Sequence, residues 1–542
     1  MLVKNLIVII ILPLTTYTLV YSQTTDDSTD IKNRKYYEIK FVGDATIFSL
    51  ESLYSTVDAF KSWLKIDQSA PLDMNQLIQL KDAINKKYHS AGYINSKVII
   101  ESINEKRHLC QFRVIECKLT RVIVSNNKYM STTYISNFFF HKTGKSPLNI
   151  KQLEEQAKLL RETPGIQNIE ARLENGLRAG EASLRVKVYE SYPFQLSAIY
   201  NNFGTEGTGK YRSLFYAGYT NLIGCADTLT GQYGLSKGTS FYSSSYSFPV
   251  YYSNIYCNLG AGKTFSRVIT GYAMEHGDIL HNSKNVFVDL RYLIYKSIRR
   301  KNNKDIHIDT TIGASGELQK NELQLLNRYM RFGSELQIVK FFCEFIYREM
   351  SQIFYIKSNL NMPLQTKNEG LSNIDTKKFH HFRTDMKYQK RFFRLPVTLE
   401  YQLQLNLADT ALPGSEKSTI GGVSGVRGYR ENFLNRDCSV ISRFECLMTL
   451  FSFYADIFKK TNHFELRLSS FYDYGQGWNM DTDHNQYFSD LLMSIGIGLK
   501  FNLGKSLSTV FYWGYPLTEP EKNHEKMVND NQVHFYIKTQ FY

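Results

Sequence analysis

From about residue 195 to the C-terminus the chain alternates apolar and polar side chains in long runs. Leu399, Tyr401, Leu403, Leu405 and Leu407 interleave with Glu400, Gln402, Gln404 and Asn406. Ile306, Ile308 and Ile312 interleave with His307, Asp309, Thr311 and Gly313. Phe464, Leu466 and Leu468 interleave with Glu465, Arg467 and Ser469, and the chain ends on Val533, Phe535, Ile537, Thr539 and Phe541 against His534, Tyr536, Lys538 and Gln540. Period two places the two sets on opposite faces of a strand. A soluble sandwich also alternates, but gives no reason for a polar face to persist in strands this long and this numerous. Lipid outside and water inside do, and a closed barrel is the one sheet that leaves no backbone edge in hydrocarbon. At roughly 20 to 24 residues per strand with its turn or loop, this region predicts an antiparallel transmembrane β-barrel of about 16 strands.

Composition agrees. Tyr (38) and Phe (35) are abundant while Trp is scarce (3), which suits interfacial aromatic girdles and strand propensity. A Tyr-rich soluble β protein would share that composition. The net charge is +14, which raises the prior for anionic partners. The basic residues are dispersed, with one short cluster at Arg299, Arg300 and Lys301, so nucleic-acid binding is not indicated. The seven Cys include no C-x-x-C pair, and the strand expected to carry both Cys110 and Cys117 holds them too far apart to bridge.

The first 35 residues read as a secretory signal and a tether. Lys4 precedes an apolar run, and Val20-Tyr21-Ser22 leads to a cut near Gln23, giving a signal peptide over 1–22 and a short flexible segment over 23–35. An uncleaved anchor is the alternative, although the apolar run is short for spanning a bilayer. Two α+β modules follow, at 36–118 and 119–190. Each carries a strand, a helix, a Pro-Leu step (Pro71-Leu72, Pro147-Leu148), a second helix closed by Gly92 or Pro164-Gly165, and two more strands. The second helix of the first module has its stripe at Leu77, Leu80, Ile84 and Tyr88.

Gly425-Val426-Arg427-Gly428-Tyr429 stands on a predicted loop spanning about 421–437, and Asp473 ends the alternation Glu465, Arg467, Ser469, Phe471. That phase turns Asp473 to the lumen. A loop Arg can fold inward and offer its planar fork to a wall carboxylate. On the residues alone, an exposed loop Arg and a wall Asp of general polarity explain the pattern as well. Arg443 and Glu445 share the lumenal phase of the preceding strand and either extend this network or simply line the lumen.

Enzyme signatures are missing. Gly144-Lys145-Ser146 and Gly504-Lys505-Ser506 look like P-loop tails, but Phe139 and Leu499 stand where the first glycine belongs. There is no nucleophile elbow and no H-E-x-x-H; the pair His380-His381 reads as a polar turn. No enzyme activity, cofactor or metal is expected.

The ordered motifs resemble the outer-membrane transporters of two-partner secretion, which export large haemolysins and filamentous adhesins. The modules resemble two polypeptide-transport-associated (POTRA) domains. Asn201-Asn202-Phe203-Gly204, Thr208-Gly209-Lys210-Tyr211-Arg212, Asn221-Leu222-Ile223-Gly224 and Asp227 resemble the family's barrel entry, and Tyr246-Ser247-Phe248-Pro249-Val250 its second-hairpin signature. Val426-Arg427-Gly428-Tyr429 resembles the tip of its long sixth loop, and Phe471-Tyr472-Asp473-Tyr474-Gly475 its wall motif. The resemblance implies that Arg427 pairs with Asp473 in the lumen, with Gly428 allowing the tip its backbone angles and Tyr429 packed beneath it. It implies a Gram-negative outer-membrane barrel with POTRA domains in the periplasm. These would hold a large exported partner by pairing a strand to an open sheet edge. Export would proceed without ATP, drawn by folding of the partner outside. The dozen residues between the predicted cut and the first module leave little room for the plug helix that family members often carry. The alternatives are a barrel-assembly factor and a passive porin or adhesin.

Overall fold

The computed structural model describes residues 9–11, 35–143, 147–250, 254–270, 279–301, 304–325, 330–369, 379–457, 460–480, 490–518 and 533–541. The segment expected to be a flexible tether, and with it the question of a plug helix, lies outside these residues except for Lys35. So do Gly144-Lys145-Ser146 and the side chains of the Arg299 cluster. The chain divides into two units, Met1–Ser191 and Tyr192–Tyr542.

In the first unit, β1 (Ile9–Ile11) precedes two modules of one design. The first runs β2 (Tyr36–Val42), α1 (Leu50–Trp63), β3 (Leu72–Asp73), α2 (Met74–Ser90), β4 (Lys97–Asn104) and β5 (Leu109–Ile115). The second runs β6 (Lys118–Ser125), α3 (Thr132–Thr143), α4 (Ile150–Arg161), β7 (Ile166–Asn175) and β8 (Glu181–Glu190). The sheet orders are β3-β2-β5-β4 and β1-β7-β8-β6. In both, the last strand lies centrally, parallel to the first and antiparallel to the one before it. One edge of the first sheet is therefore β4. Among the described residues the corresponding β7 carries at that edge the three-residue β1, paired in parallel at Ala171–Leu173.

Local chemistry explains the helix starts. Asp73 caps α2 in a reciprocal box with Gln76, and Asn149 caps α4, so both helices begin two or three residues after the Pro-Leu step. The stripe Leu77, Leu80, Ile84 and Tyr88 is buried against Phe41, Val98 and Phe112. Gly92 ends α2 at φ +94°, and its carbonyl accepts from Ile150 N at 2.9 Å, which ties the two modules together. Cys117 lies beyond the end of β5, so it does not share that strand with Cys110. Both thiols are buried and free, and burial pushes each up to about 11.

The second unit is a closed sixteen-stranded antiparallel barrel. Its strands begin with β9 (Phe194–Asn201), β10 (Arg212–Thr220), β11 (Thr228–Leu235), β12 (Thr239–Pro249) and β13 (Ile255–Arg267). They continue with β14 (Leu280–Lys301), β15 (Lys304–Leu325), β16 (Met330–Glu349), β17 (Gln352–Glu369), β18 (His381–Phe392) and β19 (Val397–Ala408). A short ladder, β20 (Ser418–Ile420) with β21 (Leu434–Arg436), folds within the loop after β19. The wall then resumes with β22 (Cys438–Ile457), β23 (Lys460–Trp478), β24 (Asp490–Leu503), β25 (Leu507–Pro516) and β26 (Val533–Gln540). Outward residues such as Tyr233, Val288, Phe341, Ile497 and Trp513 are exposed, as a lipid-facing surface requires.

The seam is short. β26 meets β9 over five residue pairs, Tyr536↔Asn201 to Gln540↔Ser197. The Asn202 amide prolongs it: Nδ2 donates to Val533 O and Oδ1 accepts from Phe535 N, both at 2.8 Å. Gly504-Lys505-Ser506 is the turn between β24 and β25, with no helix after it to bind phosphate.

Candidate functional site

The loop between β19 and β22 enters the lumen and is clasped to the wall at Arg427, whose side chain is entirely buried. Strand register makes this possible. On β22 and β23, Arg443 stands directly opposite Asp473, and Glu445 opposite Phe471, so all four face the same interior. Arg427 donates to Asp473 from its backbone N (3.0 Å), Nε (2.7 Å) and Nη2 (2.8 Å), and from Nη1 to Glu445 (2.9 Å). The guanidinium carbon lies 3.6 Å from the Phe471 ring centroid and 4.7 Å from that of Tyr512. Phe471 thus breaks the polar lumenal phase of its strand for a reason: it is the aromatic floor of a cation site.

Around this pair, Lys500 reaches Glu445 at 2.6 Å and Ser469 donates to Glu445 at 2.7 Å. Arg443 is less well served. Its Nη1 lies 3.4 Å from Ser424 O, its Nε stands 3.9 Å from Asp473, and that Nε has no hydrogen-bond partner among the described residues.

Gly428 has φ +94°, and its N donates to His534 Nε2 on β26 at 3.3 Å. Tyr429 is buried with Ile420, Val426, Leu434, Ile441 and Leu492, its hydroxyl 2.6 Å from Thr518 O. The wall beneath is paved with glycine. A Cβ on Gly475 would lie 2.6 Å from the Val426 side chain, one on Gly477 would overlap Ile420, and one on Gly514 would lie 2.8 Å from Gly428 N.

A second anchor holds the ascending limb. Glu416, nearly buried, accepts from Gln319 and Asn361 at 3.3 Å and lies 3.7 Å from His381. The loop therefore crosses the lumen, from β15, β17 and β18 at Glu416 to β22, β23 and β26 at its tip. His381 is a buried wall residue and not part of a polar turn; His380 pairs with Asp409 at 2.6 Å.

The structure brings together every residue singled out in the sequence: Arg427, Gly428, Tyr429, Asp473, Arg443 and Glu445. Sequence reasoning missed Glu416, His534, Lys500, Tyr512 and the seat glycines. The close spacing of glycine in 475–477, 496–498 and 514 on lumenal phases was the available signal. No group of His, Cys, Asp and Glu fit to hold a metal occurs among the described residues. The charges present are arranged to hold a loop by ion pairs.

Residues 180–501 match the family described as Haemolysin secretion/activation protein ShlB/FhaC/HecB. The chain is 23% identical over 460 residues to the Heme/hemopexin transporter protein HuxB of Haemophilus influenzae strain 86-028NP, covering 80% of this chain and 75% of that one. It is 20% identical over 380 residues to the Outer membrane transporter CdiB of Dickeya dadantii, covering 67% and 64%. The solved structure of CdiB from Escherichia coli superposes with TM-score 0.65 at 16% identity, covering 96% of this chain and 93% of that one. BamA of Haemophilus ducreyi superposes at 0.55 and 12% identity, covering 94% and 100%, a likeness of fold alone. The chain belongs to the haemolysin secretion/activation family, and is a two-partner secretion transporter of the outer membrane with its POTRA domains in the periplasm.

Proposed function

We propose that the loop over 409–437 is the gate of this transporter, and that the exported protein is first held at the free edges of the POTRA sheets. The observation that carries the gate is the complete burial of Arg427 on Asp473 and Glu445. In a partly wet lumen such a pair would be worth about 1–3 kcal/mol. In the buried site, truncating one partner strands the other charges, at about 3–5 kcal/mol. The closed position is thus well defined, and the loop leaves it only when other groups take over the charges it neutralises. An extended partner segment entering beside the loop competes for the same lumen.

The partner's route begins at β4 and β7. β4 is an unpaired edge among the described residues, and β7 is covered at Ala171–Leu173 by β1, which lies in the segment expected to be cut off as a signal, so after that cut both edges are open to an added strand. Export along this path proceeds without ATP, and the partner's folding outside the cell supplies the pull.

Deleting the protein and examining the medium tests the export reading: one large protein disappears, whereas loss of many barrels would indicate assembly and loss of small-solute uptake a porin. Arg427→Ala tests the gate. The variant inserts normally, its resting channel conducts more, and export falls because the freed loop wanders in the lumen. Unchanged conductance and export at equal membrane levels refute the gate. Photo-crosslinking side chains placed at Ser102 on β4 and Arg172 on β7 capture the exported protein; capture at neither edge rules out this binding mode.

A further inference from the structure

We propose that Arg443 is the positioning residue that lets the gate open: it takes over Asp473 when Arg427 leaves. The inference rests on the gate reading above. In the seated state two carboxylates, Asp473 and Glu445, face three cations, Arg427, Arg443 and Lys500. Among these five groups one cation is in excess, and it is Arg443 that goes short; Glu400, opposite Glu445 on β19, adds a further carboxylate to the wall beside them. The Arg443 Nε is buried with no hydrogen-bond partner among the described residues, 3.9 Å from a carboxylate that already accepts three hydrogen bonds from Arg427.

The two acids differ in what they keep when the loop lifts. Glu445 retains Lys500 at 2.6 Å and the Ser469 hydroxyl at 2.7 Å. Asp473 keeps no hydrogen bond, because all its hydrogen bonds among the described residues come from Arg427; it keeps only the Arg443 charge at 3.9 Å, beyond hydrogen-bond reach. A bare buried carboxylate would make opening prohibitive. Arg443 removes that obstacle. It stands directly across the ladder from Asp473, the placement at which opposite charges pair in a sheet. Closing the gap needs a side-chain shift of about 1 Å to reach ordinary hydrogen-bond length. The lifted loop also releases the Arg443 Nη1 that faces Ser424 O. The two pairs left behind are then each neutral: Arg443 with Asp473, and Lys500 with Glu445.

The sign of the prediction is the opposite of a supporting role. If Arg443 merely buttressed the site, removing it would loosen the loop. If it is the replacement cation, removing it relieves repulsion on seated Arg427 and also strips the open state of its partner, so the loop seats more firmly.

The test uses the full-length protein in planar bilayers, reading KCl current, with hydrogen exchange of residues 421–430 as a second measure and heat-modifiable gel mobility as the folding control. Arg443→Met lowers open probability by about tenfold and slows exchange of the loop, while Arg443→Lys stays within about twofold of the parent. Arg427→Ala raises open probability, and adding Arg443→Met to it changes nothing further. If Arg427→Ala opens the channel but Arg443→Met opens it too, or leaves it unchanged, the exchange role is wrong and the gate stands. If Arg427→Ala has no effect on current or exchange, the gate reading falls and this inference with it.

Discussion

Gly514 on β25 and Gly428 at the loop tip meet backbone to backbone. A Cβ on Gly514 would lie 2.8 Å from Gly428 N, and one on Gly428 2.7 Å from Gly514 O. Neither obstacle is a flexible side-chain end, so neither can yield cheaply. Gly514→Ala unseats the tip by about 1–3 kcal/mol of overpacking while leaving every charge in place. Bilayer current should rise and hydrogen exchange over 421–430 should quicken. A variant indistinguishable from the parent would show that the tip is not held against that strand.

Asp473 accepts three hydrogen bonds from Arg427 and Glu445 one. Asp473→Asn therefore loosens the loop more than Glu445→Gln does, with a cost of about 3–5 kcal/mol for the former. Because the site excludes water, 1 M KCl should not mimic either substitution, unlike a surface pair screened within about 3 Å. Loop exchange rates measured in low and high salt check both points.

The second anchor is weaker. Glu416 receives two long bonds of 3.3 Å, so Glu416→Gln costs on the order of 1 kcal/mol and speeds exchange over 409–420 more than over 421–430. Equal effects on both segments would mean that the loop moves as one body.

In the first POTRA domain, burial raises the Cys110 thiol from 9.0 to about 11. The folded thiol stays protonated and resists alkylation at pH 8, and labelling should track unfolding by urea. Between pH 9.0 and about 11 the unfolded chain gives up a proton that the fold retains, so stability is lost as pH rises through that window. Because Cys343 is exposed, labelling is read at Cys110 by mass spectrometry, and rapid iodoacetamide modification of that residue in the native protein would contradict the burial.

Much of the barrel was legible because its signal is local and repeated. Leu399 to Leu407 face lipid for the same reason at each step, and a period of two needs no knowledge of neighbours. The caps at Asp73 and Asn149 are local too. The cysteines show the limit of that reasoning: the strand holding Cys110 stops before Cys117, and boundaries of one or two residues are not written in a short pattern.

The order of residues along the chain was enough to say which face of each strand is wet. Through the motif around Arg427 it also said which loop was worth following into the lumen. Folding in three dimensions was needed to bring Tyr512 and His534, from two later strands, onto that loop and Lys500 onto its wall partner Glu445, and to let Glu416 grip the far wall. Such placements depend on strand register and on closure of the sheet, which join residues distant in the chain. An Arg443 directly opposite Asp473 is a fact of pairing between strands, and no period within either strand contains it.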